Sequence, residues 1–144
     1  MEIVYRRAEK SDYSGLYKLY RDIFGMSMTE ENYYKYIADE THTIWVAVCE
    51  EYCGSICVEK NWDAFLDDSS YFLRNIGVAL SWRKQGICTE LMKRVMDMAK
   101  QENIKTIELT SANHRQEAHH FYLSHGFTIK KTTVFIHDER NEED

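Results

Sequence analysis

The order of the hydrophobic patterns along the chain constrains its fold more than any other feature. Runs rich in β-branched and aromatic residues alternate with stretches in which apolar residues recur at helical spacing. The predicted order is one strand, two helices, three strands and then two helix–strand pairs. Helix–strand alternation after a run of adjacent strands is typical of a mixed α/β sheet that contains a right-handed β-α-β unit.

The bounds of each element follow from where these patterns begin and end. Thr29 is placed to cap the second helix, and Gly25 and Gly126 directly follow two of the helices. An acidic loop is expected over 61–69. We predict helices over 12–24, 29–38, 86–101 and 115–125, and strands over 1–8, 43–49, 53–59, 71–80, 105–111 and 127–137, the last as one bent strand or a hairpin.

Size and charge limit the partners that we expect. The chain of 144 residues has the length of one domain, which we place at 1–137. Residues 138–144 hold five acids and one arginine, and thus −4 of the formal net charge of −6, so we expect an acidic, frayed tail. The sequence has no stripe of basic residues that would indicate nucleic-acid binding. No apolar run reaches the roughly 18–20 residues of a membrane span, and no signal peptide is visible, so the expected location is the cytoplasm.

The four cysteines are expected to be reduced and packed as small apolar residues. Cys53 and Cys57 lie in one predicted strand, where a spacing of four residues separates their Cβ atoms by about 13 Å. That distance is too long for a disulfide or for one shared metal ion. The histidines between 114 and 125 include no pair at the helical spacing of three or four. We therefore predict no metal site.

The segment over 75–89 combines a strand end, a short polar loop and the start of a helix. The first amides of a helix have no partner within it and carry the positive end of its dipole, so this corner suits an anion such as a phosphate. Gly86 lets the backbone approach a ligand closely, and four nearby cations add positive charge, namely Arg83, Lys84, Lys93 and Arg94. From these residues alone, an anion site and an ordinary loop with a solvated basic face are equal alternatives.

The strand that leads into this corner has one nearly bare face. Simple alternation places Asn75, Gly77 and Ala79 on that face. A glycine inside a strand often marks the close approach of a ligand or of another part of the backbone. A bulge in this strand would shift the assignment of faces.

Two motifs in this part of the chain resemble a known family. Residues 83–88, Arg-Lys-Gln-Gly-Ile-Cys, are similar to the (Gln/Arg)-x-x-Gly-x-(Gly/Ala) signature of the GNAT superfamily of acetyl-CoA-dependent N-acetyltransferases, with Cys88 at the last small position. Residues 118–127, Ala-His-His-Phe-Tyr-Leu-Ser-His-Gly-Phe, resemble that family's Ala-x-x-Phe-Tyr-x-x-x-Gly-Phe. The resemblance implies a GNAT-like α/β fold, with a mixed twisted central sheet of six to seven strands flanked by about four helices.

The resemblance also implies acetyl-CoA as co-substrate and assigns roles to individual residues. Backbone amides of the loop and the first helical turn would hold the CoA pyrophosphate, and the strand before them would pair with the pantetheine arm like an added strand. The start of the last helix would also contact CoA. The cofactor-binding residues implied in this way are Ile76, Gly77, Val78, Arg83, Lys84, Gln85, Gly86, Ile87, Cys88, Thr89, Asn113 and Arg115.

Tyr122 resembles the family's tyrosine that protonates the departing CoA thiolate. A thiol has a pKa of about 8.5 and tyrosine one of about 10, so a phenol can ease departure of the thiolate near neutral pH. The general base is not assigned. Many relatives carry Glu where this chain has Asn75, and an amide cannot accept that proton; Glu108 and a water relay are alternatives.

The residues also suggest where an acceptor would bind. Three tyrosines of the second predicted helix, Tyr33, Tyr34 and Tyr36, are too many for one core face. Together with Trp62 and the acidic loop they would suit a cationic amine, and our substrate candidates are Tyr34, Trp62 and Asn75. The chain most resembles small-molecule members such as the aminoalkylphosphonate N-acetyltransferases, although the loop over 61–69 holds no Arg, Lys or His to bind a phosphonate.

We therefore expect N-acetylation of a small primary amine by direct attack in a ternary complex. Two alternatives remain at this point. One is a protein N-terminal or lysine acetyltransferase, which predicts an open peptide groove. The other is a non-catalytic acyl-CoA-binding module, which would explain the absence of Glu at position 75. By analogy with the family, a homodimer is a further expectation.

Overall fold

The computed structural model describes residues 2–140 and divides into two compact units, Met1–Leu109 and Thr110–Asp144. The first unit contains five strands, β1 (Val4–Arg7), β2 (His42–Val48), β3 (Tyr52–Asp63), β4 (Asp68–Val78) and β5 (Thr106–Glu108). Its helices are α1 (Tyr13–Phe24), α2 (Glu30–Ala38) and α3 (Ile87–Gln101), with short 3-10 helices at Lys10–Asp12 and Leu80–Trp82. Residues 141–144 of the predicted acidic tail lie outside the described residues.

The five strands form one mixed sheet in the order β1-β2-β3-β4-β5. The first four strands pair antiparallel, whereas β5 lies parallel to β4 after the crossover through α3. The predicted mixed α/β sheet with a β-α-β unit is therefore confirmed.

Helices cover both faces of this sheet. Leu16, Leu19 and Tyr20 of α1 pack with Tyr33 of α2 on one face. On the other face, a Cβ added to Gly54 would lie 3.0 Å from Ile87 and 3.1 Å from Leu91 of α3. Because both faces are covered, the central segment of β3 from 53 to 58 is buried at every position. Cys53 and Cys57 belong to this segment and are buried there, in agreement with the prediction that they pack as small apolar residues.

The predicted acidic loop over 61–69 is wrong, because β3 and β4 extend through most of it as a hairpin. Trp62 pairs with Ser69, and Asp63 pairs with Asp68. The Asp63 carboxylate accepts hydrogen bonds from the amides of Phe65, at 2.8 Å, and Leu66, at 3.1 Å, and these bonds close the turn. Aspartate is depleted in strands, which is why composition indicated a loop here.

The second unit contains α4 (Gln116–Ser124), and Gly126 follows this helix at a φ of 92°. The strand or hairpin predicted over 127–137 is not observed, and no strand is assigned after β5 within residues 2–140. The described sheet thus has five strands instead of six to seven. A strand is defined by hydrogen bonds to a neighbouring strand, and the described residues of this unit, 110–140, contain no such neighbour among themselves.

No helix in residues 2–140 has the length and apolar character that crossing a bilayer requires.

An ion pair with a buried carboxylate and a partly exposed arginine connects β1 to the start of α1. Asp12 is 1% exposed, and both of its carboxylate oxygens accept hydrogen bonds from Arg6, at 2.8 and 2.7 Å. The Tyr52 hydroxyl and the Glu9 amide also donate to this carboxylate. Hydrogen bonding to Arg6 is the largest cause that lowers the pKa of Asp12 from 3.8 to about 2.

We predict that Asp12→Asn destabilises the protein by about 2 kcal/mol, because it removes the charged acceptor of Arg6, whose side chain is partly exposed to water. The stabilisation is fully present above pH ~4 and is lost as the pH falls through about 2, since the folded pKa lies below the unfolded one. Urea unfolding measured between pH 7 and pH 2 tests this. Asp22→Asn, which removes the exposed partner of Lys18, is the control and should change stability by less than about 1 kcal/mol. Equal losses in the two variants would contradict the assignment.

Candidate functional site

The corner between β4 and α3 has the conformation of an anion cradle. After the 3-10 helix at Leu80–Trp82, Lys84 adopts a φ of 64° and Gly86 a φ of 78°, so left-handed residues flank Gln85. Such an alternating backbone turns successive amides toward a common point. The first i+4 bond of α3 runs from the Glu90 amide to the Gly86 carbonyl at 3.0 Å.

The amides of this corner are available to a ligand. In the described part of the chain, no hydrogen-bond acceptor is found for the amides at positions 84–88. A Cβ built on Gly86 would have no atom within 4 Å, so the space above the backbone is open. Orphan amides at the positive end of a 15-residue helix suit a phosphate group, and the corner therefore fits the pyrophosphate that the sequence predicted there.

The basic side chains near the cradle are partly committed to protein partners. Arg83 donates through Nε to the Val78 carbonyl at 3.2 Å. Arg94 pairs with Glu90 at 2.9 Å and also donates to the Tyr5 carbonyl. Lys84 lies exposed on the loop. Burial raises the pKa of the Cys88 thiol to about 11, so this residue occupies its motif position as a neutral side chain.

A β-bulge in β4 determines how the end of this strand is oriented. Ser55 pairs with Gly77 and Cys57 pairs with Arg74, so Asn75 and Ile76 together oppose the single residue Ile56. Asn75 has a φ of 52°, which asparagine tolerates better than most residues with a side chain. The left-handed backbone of the bulge thus favours asparagine at position 75, where many family relatives carry glutamate.

This bulge corrects the assignment of faces made from simple alternation. Arg74 binds Glu59, which also accepts a hydrogen bond from Tyr36 of α2, so Arg74 lies on the face covered by α1 and α2. Gly77 faces the same side, where an added Cβ would lie 2.7 Å from Ile23 of α1. The face of Gly77 is therefore filled by a helix and does not lie bare for a ligand.

The edge of β4 beyond Phe72 is not paired with β5. The parallel pairing with β5 ends at Phe72 and Glu108, whereas β4 continues to Val78 with partners on its β3 side. Within residues 2–109, the other edge of the segment over 73–78 has no strand beside it. An extended chain with amide groups could pair there by β-augmentation.

A groove of about 520 Å³ lies over the sheet near this edge. In-register pairing places His42, Glu59, Phe72 and Glu108 in one row across four strands, and all four line the groove. Arg74 lines it from the next position on the same face of β4.

Glu59 organises the polar side chains of this groove. Its Oε1 accepts from Arg74 Nε at 2.9 Å, and its Oε2 accepts from the Tyr36 hydroxyl at 3.0 Å. The Tyr36 ring stacks on His42 with centroids 4.1 Å apart. Burial is the largest cause that raises the pKa of Tyr36 above its ordinary value, so the hydroxyl stays protonated as a donor.

The three substrate candidates from the sequence are not brought together. Asn75 lies at the bulge, Tyr34 donates to Glu30 on its own helix, and Trp62 is 61% exposed near the hairpin turn with its Nε1 on Asp67. Of the possible bases, Glu108 lines the groove. Sequence reasoning missed Glu59 and Arg74, because their proximity depends on the strand register and the bulge.

The second unit carries the remaining predicted residues. Tyr122 lies on α4 and packs edge-on against Phe121 and Phe127, with centroids 5.6 and 5.9 Å apart. Arg115 is the N-cap residue of this helix, and the Asn113 carbonyl accepts from the Gln116 side chain at 3.3 Å.

Comparison with known proteins identifies the family. The model of the Acetyltransferase (GNAT) family matches residues 13–127, which include the cradle and the helix of Tyr122. The chain belongs to the GNAT family. Membership in it implies an acyl-CoA co-substrate.

Two curated relatives lie at low sequence identity. Streptothricin acetyltransferase A of Bacillus subtilis (strain 168) is 27% identical over 103 residues, which are 71% of this chain and 57% of that protein. The probable N-acetyltransferase camello of Xenopus tropicalis is 31% identical over 102 residues, which are 70% of this chain and 44% of that protein. The chain thus spans about half the length of the curated relatives that it matches.

Solved structures confirm the GNAT fold over nearly the whole chain. A putative acetyltransferase from Agrobacterium tumefaciens str. C58 has a TM-score of 0.85 at 21% identity and covers 94% of this chain and 99% of its own. An aminoglycoside acetyltransferase from an uncultured soil metagenomic sample, in complex with sisomicin, also has a TM-score of 0.85, at 16% identity, with coverage of 96% and 97%.

The backbone requirement at the bulge of β4 can be tested by substituting Asn75. Asn75→Gly should leave stability within about 0.5 kcal/mol, because glycine adopts the left-handed conformation freely, whereas Asn75→Val should cost about 1–2 kcal/mol. Thermal unfolding of both variants measures this difference. Asn61→Val, at a regular position of β3 paired with Ser70, is the control and should not destabilise. A valine tolerated equally at 75 and 61 would show that the bulge is not required.

Proposed function

We propose that this protein is an N-acetyltransferase that moves an acetyl group from acetyl-CoA to a primary amine of a small molecule, by direct attack in a ternary complex. The observation that carries the proposal is the cradle of orphan amides at positions 84–88, next to a β4 edge that has no strand beside it within residues 2–109. A pyrophosphate joined to an extended chain with amide groups has the chemistry that fits both features.

The chain's own backbone would hold the co-substrate. Amides from Lys84 to Cys88 would bind the pyrophosphate, and the open edge at 76–78 would pair with the pantetheine arm. The bound acetyl-CoA would supply an acyl group activated as a thioester. Arg83 donates to the Val78 carbonyl in this structure. If its side chain turned to the phosphates, the Val78 carbonyl would become available as an acceptor for the pantetheine arm. Thr89, Asn113 and Arg115 remain proposed contacts.

Tyr122 is the proposed acid of the reaction. A tyrosine hydroxyl keeps its proton at neutral pH and can donate to a leaving thiolate. Its aromatic neighbours Phe121 and Phe127 hold the ring by edge-on packing. This arrangement restricts the direction in which the hydroxyl points, as a positioned acid requires.

The acceptor must present a neutral amine, because a protonated amine has no lone pair for attack. A simple alkyl amine is mostly protonated at neutral pH. Asn75 has no basic group, and the protein therefore depends on another route for this proton. Glu108 is the carboxylate of the groove on the strand beside β4, and we propose it, directly or through a water molecule, as the proton acceptor.

The names of the relatives support a small molecule over a protein as acceptor. Streptothricin acetyltransferase A and the sisomicin complex are both named for small compounds. The groove of about 520 Å³ has a size typical of sites for small ligands. An amine panel with acetyl-CoA, followed by free thiol release, tests the activity. Acetylation of peptides alone would favour a protein acetyltransferase, and no release with any amine would favour an acyl-CoA-binding module.

We predict that Gly86→Val weakens acetyl-CoA binding at least tenfold, because the new side chain fills the open space above the amides. Isothermal titration calorimetry measures this affinity. Gly25→Val is the matched control, since Gly25 has a similar φ of 67° and an equally open Cβ position but caps α1. Both variants should lose comparable stability, and only the change at 86 should affect the affinity. Equal affinities would place the nucleotide elsewhere.

We predict that Tyr122→Phe lowers kcat about a hundredfold and leaves the Kd of acetyl-CoA within twofold, since it removes the proton-donating hydroxyl and keeps the aromatic ring. Steady-state kinetics and calorimetry give the two values. Tyr17→Phe, at an exposed position of α1, should match the parent in both. Full activity of the Tyr122→Phe variant would remove Tyr122 from the chemical step.

A further inference from the structure

Arg74 is a cation of the groove, and most of its hydrogen-bond donors have no protein partner among the described residues. Its side chain is 55% exposed, and its one hydrogen bond to protein in the described residues runs from Nε to Glu59. A guanidinium carries five N–H donors, so the four on its two terminal nitrogens remain for a ligand. With these four N–H groups, Arg74 can bind a ligand while it keeps its ion pair with Glu59.

Two contacts hold the Arg74 guanidinium in place. The Glu59 carboxylate binds Nε at 2.9 Å, and the guanidinium carbon lies 4.9 Å from the centroid of the Phe72 ring. Glu59 is itself held by the Tyr36 hydroxyl. A planar cation that is fixed at one nitrogen and packed on an aromatic ring presents its outer edge in a defined direction. Preorganisation of this kind lowers the entropic cost of ligand binding.

The other two basic side chains of the groove, Lys60 and His42, have protein partners. Lys60 pairs with Glu102 at 3.3 Å. His42 contacts the Tyr36 carbonyl through Nδ1 at 3.0 Å, and its Nε2 lies 3.9 Å from Asp39. Arg74 is thus the groove cation best placed to bind a ligand group of opposite charge.

We propose that Arg74 selects acceptors that carry a planar or tetrahedral anionic group, a carboxylate or a phosphonate, close to the reacting amine. The outer edge of a guanidinium binds such groups through two parallel hydrogen bonds. Glu108 lies on the next strand, opposite Phe72, and lines the same groove. Arg74 and Glu108 thus place groups of opposite charge in the lining of the groove. This inference rests on the proposed acetyltransferase function and narrows its substrate class.

Matched acceptor pairs test the inference. Leucine and isopentylamine differ by a carboxylate, and 2-aminoethylphosphonate and ethylamine differ by a phosphonate. For Arg74→Gln we expect a KM that is about ten- to a hundredfold higher for the anionic member of a pair, with kcat nearly unchanged. The anion-free member should keep its parent kinetics, which also shows that the variant is folded. Arg74→Lys should recover part of the loss, because lysine keeps the charge without the paired donors.

Two further variants sharpen the result. Arg21→Gln removes an exposed arginine of α1 outside the groove and should change neither pair. Glu59→Gln weakens the contact that positions the Arg74 guanidinium but leaves the charge of Arg74 in place. It should therefore raise KM for anionic acceptors by a smaller factor than Arg74→Gln. The carboxylate and phosphonate pairs together show which anion the groove prefers.

The outcomes separate this inference from the function on which it rests. If Arg74→Gln changes both members of each pair equally, the inference is wrong while the acetyltransferase stands. If no amine releases thiol, the proposed function fails, and titration of leucine and 2-aminoethylphosphonate by calorimetry still decides the role of Arg74. Weaker binding to Arg74→Gln than to the parent supports anion recognition, and equal or absent binding to both overturns it.

Discussion

The candidate site depends on one irregularity, the bulge at Asn75 and Ile76. An extra residue in a strand reverses the faces of everything that follows it. Before the bulge, Arg74 lies on the α1 and α2 side, and after it Gly77 lies on that side again. The strand can therefore place a cation in the groove and also accept a helix against its end. A regular strand would direct one of these two residues to the opposite face.

Close packing at two glycines connects this strand to its helices. Gly77 lets Ile23 and Phe24 of α1 approach one face of β4, and Gly54 on the neighbouring strand lets Ile87 and Leu91 of α3 approach the other face of the sheet. The second contact matters for the cradle, because Ile87 is the first residue of α3. The orphan amides are thus held by a helix whose first turn is anchored in the core, and the loop before it needs few contacts of its own.

Local patterns predicted most elements of the first unit, and long-range geometry determined where prediction failed. The Thr29 cap, with its Oγ1 accepting from the Asn32 amide at 3.1 Å, and the stop at Gly25 follow from short-range chemistry. The hairpin through Trp62 and Asp68 was missed because its strands are stabilised by each other and by a turn that Asp63 closes. Residues 127–137 have strand composition, but composition does not supply the neighbour that a strand requires.

The same distinction explains which parts of the site the sequence revealed. The cradle uses main-chain amides, and its signature is a glycine and a helix start, which are contiguous and therefore visible in a motif. The groove is lined by side chains from four strands, and Tyr36 of α2 holds Glu59 from behind it. No short motif contains Glu59, Arg74 and Tyr36 together. A co-substrate shared by a whole family can be bound by backbone geometry that tolerates many side chains. An acceptor that differs between members must be bound by side chains, whose proximity follows from strand register. The residues that we propose to set specificity therefore come together in the fold and not in a motif.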